Sequence, residues 1–219
     1  MQFDQIVISS SAFLFGAPGW VTSDTTIVAK PRPSYVLTDL GLRRGVSAGG
    51  PGLNAVGGTI VTTNPFPAME PVQGAYATTR EVVDIPPLAP GLSVYPRAVN
   101  NEGVVVGIAG AGRRADGLQF MHGFMWSRAR GTVDLTPTVQ AWSVGSADSI
   151  NNSVEIIGTR DSTAFLISGE RFYELRELVT NAPGWSLVFA TQINDAGVIS
   201  GGGWFDGEWH AFLLTPSGR

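Results

Sequence analysis

Val99-Asn100-Asn101-Glu102-Gly103-Val104-Val105-Val106-Gly107 decides the reading of this chain, because it returns as Ile193-Asn194-Asp195-Ala196-Gly197-Val198-Ile199-Ser200-Gly201. The shared pattern is apolar-Asn-x-x-Gly-apolar-apolar-x-Gly. Ile150-Asn151-Asn152-Ser153-Val154-Glu155-Ile156-Ile157-Gly158 keeps the Asn and the final Gly but puts Val154 where the middle Gly should be. Leu53-Asn54-Ala55-Val56-Gly57 is a fainter fourth copy. A pattern that recurs at such a period marks a repeat architecture.

Two further elements follow each copy in order. One is an aromatic run: Gly74-Ala75-Tyr76-Ala77, His122-Gly123-Phe124-Met125-Trp126, Thr163-Ala164-Phe165-Leu166 and His210-Ala211-Phe212-Leu213. The other sets an acid before an aliphatic residue: Asp39-Leu40, Asp84-Ile85, Asp134-Leu135 and Glu174-Leu175. Each unit parses into four short strands. Asn-x-x-Gly turns strand one into strand two, since Asn and Gly tolerate the left-handed backbone of tight hairpins. The V-V-V-G run is strand two, the His-Ala-Phe run strand three and the acid–Leu run strand four. Helical periodicity is absent except over Arg171 to Val179, which alternates equally well as a strand.

Four antiparallel strands in about 45 residues is the plan of a β-propeller blade. The expected fold is therefore all-β: a small β-propeller of five four-stranded blades, at 10–40, 41–87, 92–136, 142–178 and 185–216, in one domain over 1–219; the alternative is a four-bladed ring or an open array with an irregular N-terminal sheet. The last unit lacks a fourth strand of its own, and residues 2–8 (with Phe3-Asp4-Gln5-Ile6) are expected to supply it, closing the ring without an open edge.

The Ile/Val-Asn-x-x-Gly-x-Val-x-Gly element followed by His-Ala-Phe-Leu resembles the HAF-repeat family of bacterial proteins. The match is good over 95–214, weak over 40–85, and departs at Val154 and Tyr76. The resemblance implies a propeller-like array, commonly in a surface or secreted setting, and no catalytic activity.

Composition excludes several alternatives. With no cysteine there is no disulfide framework, thiolate metal site or cysteine nucleophile. A formal net charge of −4 offers no basic footprint for nucleic acid. The 28 Gly and 14 Pro lack any collagen period, so they read as turns between short strands. The start, MQFDQIVISSSAFLFGAPGW, has no basic region and its apolar run is broken by serines, so neither a signal peptide nor a membrane span is expected. That places the chain in the cytoplasm by default, or outside the cell if it is a mature secreted form.

Repeated residues are expected to be architectural, since a catalytic pair rarely occupies matching positions in two units. This covers His122 and His210, the turn asparagines and the strand-four acids. Trp142 and Trp185 read as blade packing. No phosphate loop, zinc motif or nucleophile elbow is present. Asp206-Gly207-Glu208 lacks a complete calcium loop, so neither metal nor cofactor is expected.

Function is instead expected where the copies differ, on the rim carrying the strand two-to-three loops and the unit connections. The segments from Thr63 to Gln73, Ala109 to Met121 and Gly202 to Trp209 read as irregular loops. The ligand-binding candidates are Phe66, Glu70, Arg97, Arg113, Arg114, Gln192, Trp204 and Trp209. Aromatic faces beside carboxylates and amides suit a glycan or small molecule; a protein partner is the other candidate. The leading expectation is a non-enzymatic binding module. The alternative is a small propeller enzyme (cyclase, lyase or hydrolase) using Asp116, Asp148, Asp206 and Glu208 as acids and bases in a central funnel.

Overall fold

The computed structural model describes residues 46–47, 52–63, 71–135, 145–169 and 171–217. The chain divides into two units, Met1–Thr38 and Asp39–Arg219, and every described residue belongs to the second. The expected strands at 2–8 and 10–40 lie outside the described residues.

The described residues of the second unit form an all-β arrangement of four antiparallel sheets, none of which closes on itself. Sheet one holds β1 (Val46–Ser47), β2 (Thr59–Thr63), β3 (Gln73–Ala77) and β4 (Val82–Ile85). Sheet two holds β5 (Val94–Val99), β6 (Val105–Arg113), β7 (Gln119–Ser127) and β8 (Gly131–Asp134). Sheet three holds β9 (Gly145–Ile150), β10 (Ile156–Arg160), β11 (Thr163–Ser168) and β12 (Arg171–Glu174). Sheet four holds β13 (Trp185–Ile193), β14 (Ile199–Phe205) and β15 (Glu208–Leu214). Within each sheet the strands lie in chain order. A single helical turn, α1 (Leu175–Leu178), follows β12, so the ambiguous stretch after Arg171 is strand first and helix second. No helix among the described residues is long and apolar enough to cross a membrane.

Each Asn turn closes the same way. Asn100 N–H donates to the Val104 carbonyl at 3.1 Å, and Gly103 N–H returns to the Asn100 carbonyl at 3.1 Å. The Asn100 Oδ1 accepts from the amides of Glu102 (3.1 Å) and Val104 (2.9 Å). Asn54, Asn151 and Asn194 repeat this pair of side-chain bonds. The third turn residue has a positive φ: +85° at Gly57, +76° at Gly103 and +75° at Gly197, where glycine is unstrained. Val154 is held at +58°, a conformation unfavourable for a β-branched residue.

The same asparagines also join sheet to sheet. Asn54 Nδ2 donates to the Asn100 carbonyl (2.7 Å), Asn100 Nδ2 to that of Asn151 (3.3 Å), and Asn151 Nδ2 to that of Asn194 (3.1 Å). A parallel rail runs beside it. The amides of Ala55, Asn101 and Asn152 donate to side-chain oxygens of Asn101 (2.9 Å), Asn152 (2.8 Å) and Asp195 (2.8 Å).

Packing follows the same succession. β5 lies against β2 and β3, β9 against β6 and β7, and β13 against β10 and β11; β9 also touches both β5 and β13. Because side chains alternate along a strand, neighbouring residues serve opposite seams. Val105 packs between sheets one and two while Val106 packs between sheets two and three. Ile156 faces sheet two and Ile157 faces sheet four. All four are essentially buried, each contributing roughly 1.5–3 kcal/mol. Burial on both faces accounts for the low charge content.

Candidate functional site

The final glycine of the repeat builds the site. Gly107, Gly158 and Gly201 lie within β6, β10 and β14, where a Cβ would collide with the carbonyl oxygens of Tyr95, Ser146 and Phe189 on the adjoining first strands. At this point each pairing slips by one residue. Register jumps from Pro96 to Ala98, from Ala147 to Ser149 and from Ala190 to Gln192, leaving Arg97, Asp148 and Thr191 as bulged residues. A bulge re-aims the side chain it carries. These three residues come from three sheets, and all three line one cleft.

That cleft has a volume of about 680 Å³, within the roughly 300–1,000 Å³ usual for small-molecule sites. Its described lining joins Arg97 and Asp148 to the hydroxyls of Tyr95, Ser146, Thr159 and Thr191, with Gln192 and Phe189 on β13. Arg97 Nη1 donates to Asp148 Oδ1 in an ion pair, and Ser146 Oγ donates to Asp148 Oδ2 at 2.7 Å. The Asp148 side chain is 14% exposed and the Arg97 side chain 45%. The carboxylate is therefore a covered anchor, and the guanidinium stays open with donors to spare. A half-exposed pair contributes about 0–1 kcal/mol to stability. Arg97 and Asp148 are also the only charged groups among the described lining residues, so their charges balance there.

The other sequence candidates lie elsewhere. Arg113 ends β6, and its guanidinium donates to the carbonyls of Gly117 and Gly91, both at 3.1 Å, tying its own hairpin to the connection before β5. Arg114 and Asp116 pair with each other at 3.4 Å on the exposed tip, where Asp116 also accepts from the Leu118 amide. Asp206, at φ +49°, and Gly207, at φ +86°, form the two-residue turn between β14 and β15, of the type that twisted hairpins favour. Glu208 begins β15. Neither Asp116, Asp206 nor Glu208 lines the cleft. Phe66 and Glu70, like Trp142, lie outside the described residues. The stretches 109–121 and 202–209 are mostly strand rather than irregular loop. Cross-strand pairing continues through Arg113↔Gln119 and Phe205↔Glu208.

Trp204 and Trp209 face each other across the β14–β15 hairpin, edge to face at 4.9 Å, and Trp209 lies 5.3 Å from the Phe189 ring. On the opposite face of sheet four, Trp185 stacks on Phe205 at 5.2 Å and meets His210 and Phe212 edge-on, consistent with a packing role.

Each histidine lies beside a carboxylate of its own sheet. His122 Nδ1 is 2.8 Å from the Asp134 carboxylate on β8, while its Nε2 is buried without a hydrogen-bond partner. His210 Nε2 lies 4.0 Å from Glu208. Glu174, another strand-four acid, sits 3.8 Å from Arg160, whose guanidinium lies over the Phe172 ring. No three His, Asp or Glu side chains among the described residues are grouped to hold a metal ion.

Of the eight ligand-binding candidates, the structure brings Arg97 and Gln192 to the cleft, with Asp148 from the acid–base set. Sequence reasoning missed Thr191, Tyr95, Ser146 and Phe189. A signal for Thr191 was present, because an isolated glycine inside a strand marks a bulge. Compared with known families and curated proteins, the chain matches no family model and no curated sequence.

Proposed function

We propose that this chain is a non-enzymatic binding module whose cleft takes a small, neutral, polyhydroxylated molecule, in the first instance a sugar. The observation that carries this is the convergence of Arg97, Asp148 and Thr191 from matching bulges in three sheets. A charge-balanced donor–acceptor pair among hydroxyls and an amide matches the alternating donors and acceptors of vicinal hydroxyl groups. Tyr95 and Phe189 offer rings for the ligand's C–H surface. Hydrolysis of a glycosidic bond calls for a pair of carboxylates, and Asp148 is the only one among the described lining residues.

We also read the four sheets as successive blades of a small β-propeller of the HAF-repeat kind. The repeated Asn-to-carbonyl bonds between consecutive sheets support this reading.

The test is a glycan array followed by calorimetry on the best binder. Wild type is expected to bind and Arg97→Ala to lose at least about tenfold in affinity, as charge-assisted bonds of roughly 1.5–3 kcal/mol imply. Binding that is indifferent to both Arg97→Ala and Asp148→Asn would sink the assignment.

A further inference from the structure

An arginine fork in a cleft ordinarily marks a site for an anion, because its N–H groups match the oxygens of a carboxylate or phosphate. Here the fork already has a carboxylate. Arg97 Nη1 donates to Asp148 Oδ1, while Asp148 Oδ2 accepts from Ser146 Oγ at 2.7 Å. Arg97 is carried on β5, and Ser146 and Asp148 on β9, so the pair spans two sheets. Matching bulges place both of its members. Arg97 is the open member and Asp148 the covered one, so a ligand that reaches the guanidinium meets the Asp148 charge beside it. No second cation among the described lining residues offsets that carboxylate.

We propose that Asp148 is a specificity-determining residue: it takes the place at Arg97 that an acidic ligand's carboxylate would take, and so restricts the cleft to uncharged sugars. This rests on the sugar reading of the cleft and adds to it the class of sugar refused. A neutral hydroxyl accepts from the remaining guanidinium N–H groups without displacing Asp148. A uronic acid has two courses, and both weaken its binding. It displaces Asp148 and leaves a covered carboxylate without its cation, or it sits beside Asp148 and meets a like charge. Ser146 holds the second carboxylate oxygen and so helps to keep Asp148 in its place at Arg97.

Titration with three matched pairs tests this: glucose and glucuronate, galactose and galacturonate, mannose and mannuronate, whose members differ at C6 alone. The quantity read is the ratio of acidic to neutral affinity. Wild type is expected to bind a neutral sugar and to bind its acidic counterpart at least about tenfold more weakly. Asp148→Asn keeps the shape of the side chain and can keep both hydrogen bonds, its amide oxygen accepting from Arg97 and its amide nitrogen donating to Ser146 Oγ. That variant should raise the ratio at least about tenfold, and added salt should shrink the rise. Asp148→Glu retains the charge and should retain the wild-type ratio, which guards against mere disturbance of the bulge. Combining Arg97→Ala with Asp148→Asn should abolish the rise. A wild-type ratio near one, no rise in Asp148→Asn, or a rise shared by Asp148→Glu or kept without Arg97 would overturn the filter and leave the sugar reading standing. No binding of any of these sugars by wild type would overturn the sugar reading itself, and the filter with it.

Discussion

The Asn turns and the bulges three residues before them recur in sheets two, three and four, but they repeat different things. At the turns both geometry and residue are constant: Asn100, Asn151 and Asn194 accept the same two backbone amides. At the bulges the geometry is constant and the residue is not, being Arg97, Asp148 and Thr191. A position whose chemistry must be the same in every copy is one the fold requires. A position held in place by the repeat yet free to vary is where a site can be assembled, because the backbone supplies the orientation and the side chain is left to the ligand.

The largest effect that would break this contrast is expected at Gly158. Gly158→Val places side-chain carbon against the Ser146 carbonyl, a backbone atom that cannot swing aside. A loss of about 3 kcal/mol is expected in urea denaturation, together with loss of ligand binding. An unchanged midpoint would mean that the bulge does not depend on this glycine.

Next comes Asn100→Ala, which strands two backbone amides and removes the bond to the Asn151 carbonyl, for about 2–3 kcal/mol. Asn194 carries the two turn bonds but, among the described residues, donates to no further sheet. Its Asn194→Ala variant should cost about 1 kcal/mol when measured alongside. Equal losses would remove the sheet-to-sheet bonds from the account of stability.

Val154→Gly works in the other direction. Relief of the positive φ outweighs the added freedom of the unfolded chain, and the melting transition should rise by about 1 kcal/mol in stability. Destabilisation would show that the valine side chain, packed at the seam between sheets two and three, outweighs its strain.

The smallest change in stability belongs to the bulges. Arg97→Ala and Thr191→Ala should stay within about 1 kcal/mol of wild type in the same denaturation experiment. A loss as large as that of Asn100→Ala would place Arg97 among the architectural residues and end the contrast.

The all-β class, the repeat and the strand order within each unit were legible because they rest on local rules: alternation, Asn and Gly in turns, an acid before an aliphatic residue. The turn role of the asparagines was legible for the same reason. Their second role was not, since the carbonyl that Asn100 reaches lies on Asn151, in the next sheet. The hairpins through 109–121 and 202–209 were read as irregular because these segments differ between the copies. That variation does not interrupt cross-strand pairing, which continues through both. The site was half legible. Arg97, Asp148 and Gln192 were among the residues named and line the cleft, whereas Arg113 proved to brace its own hairpin.

The sequence by itself determined the four-strand unit and the turn that opens it, since a turn is settled by atoms within about four residues of one another. It also contained the glycine that admits each bulge. What only the tertiary structure decided is that Arg97, Asp148 and Thr191 line one cleft. Their convergence depends on how each sheet seats against the next, and that is set by buried contacts such as Val106 and Ile157 and by side-chain bonds to the neighbouring turn. Those interactions join residues far apart in the chain, so no local pattern encodes them.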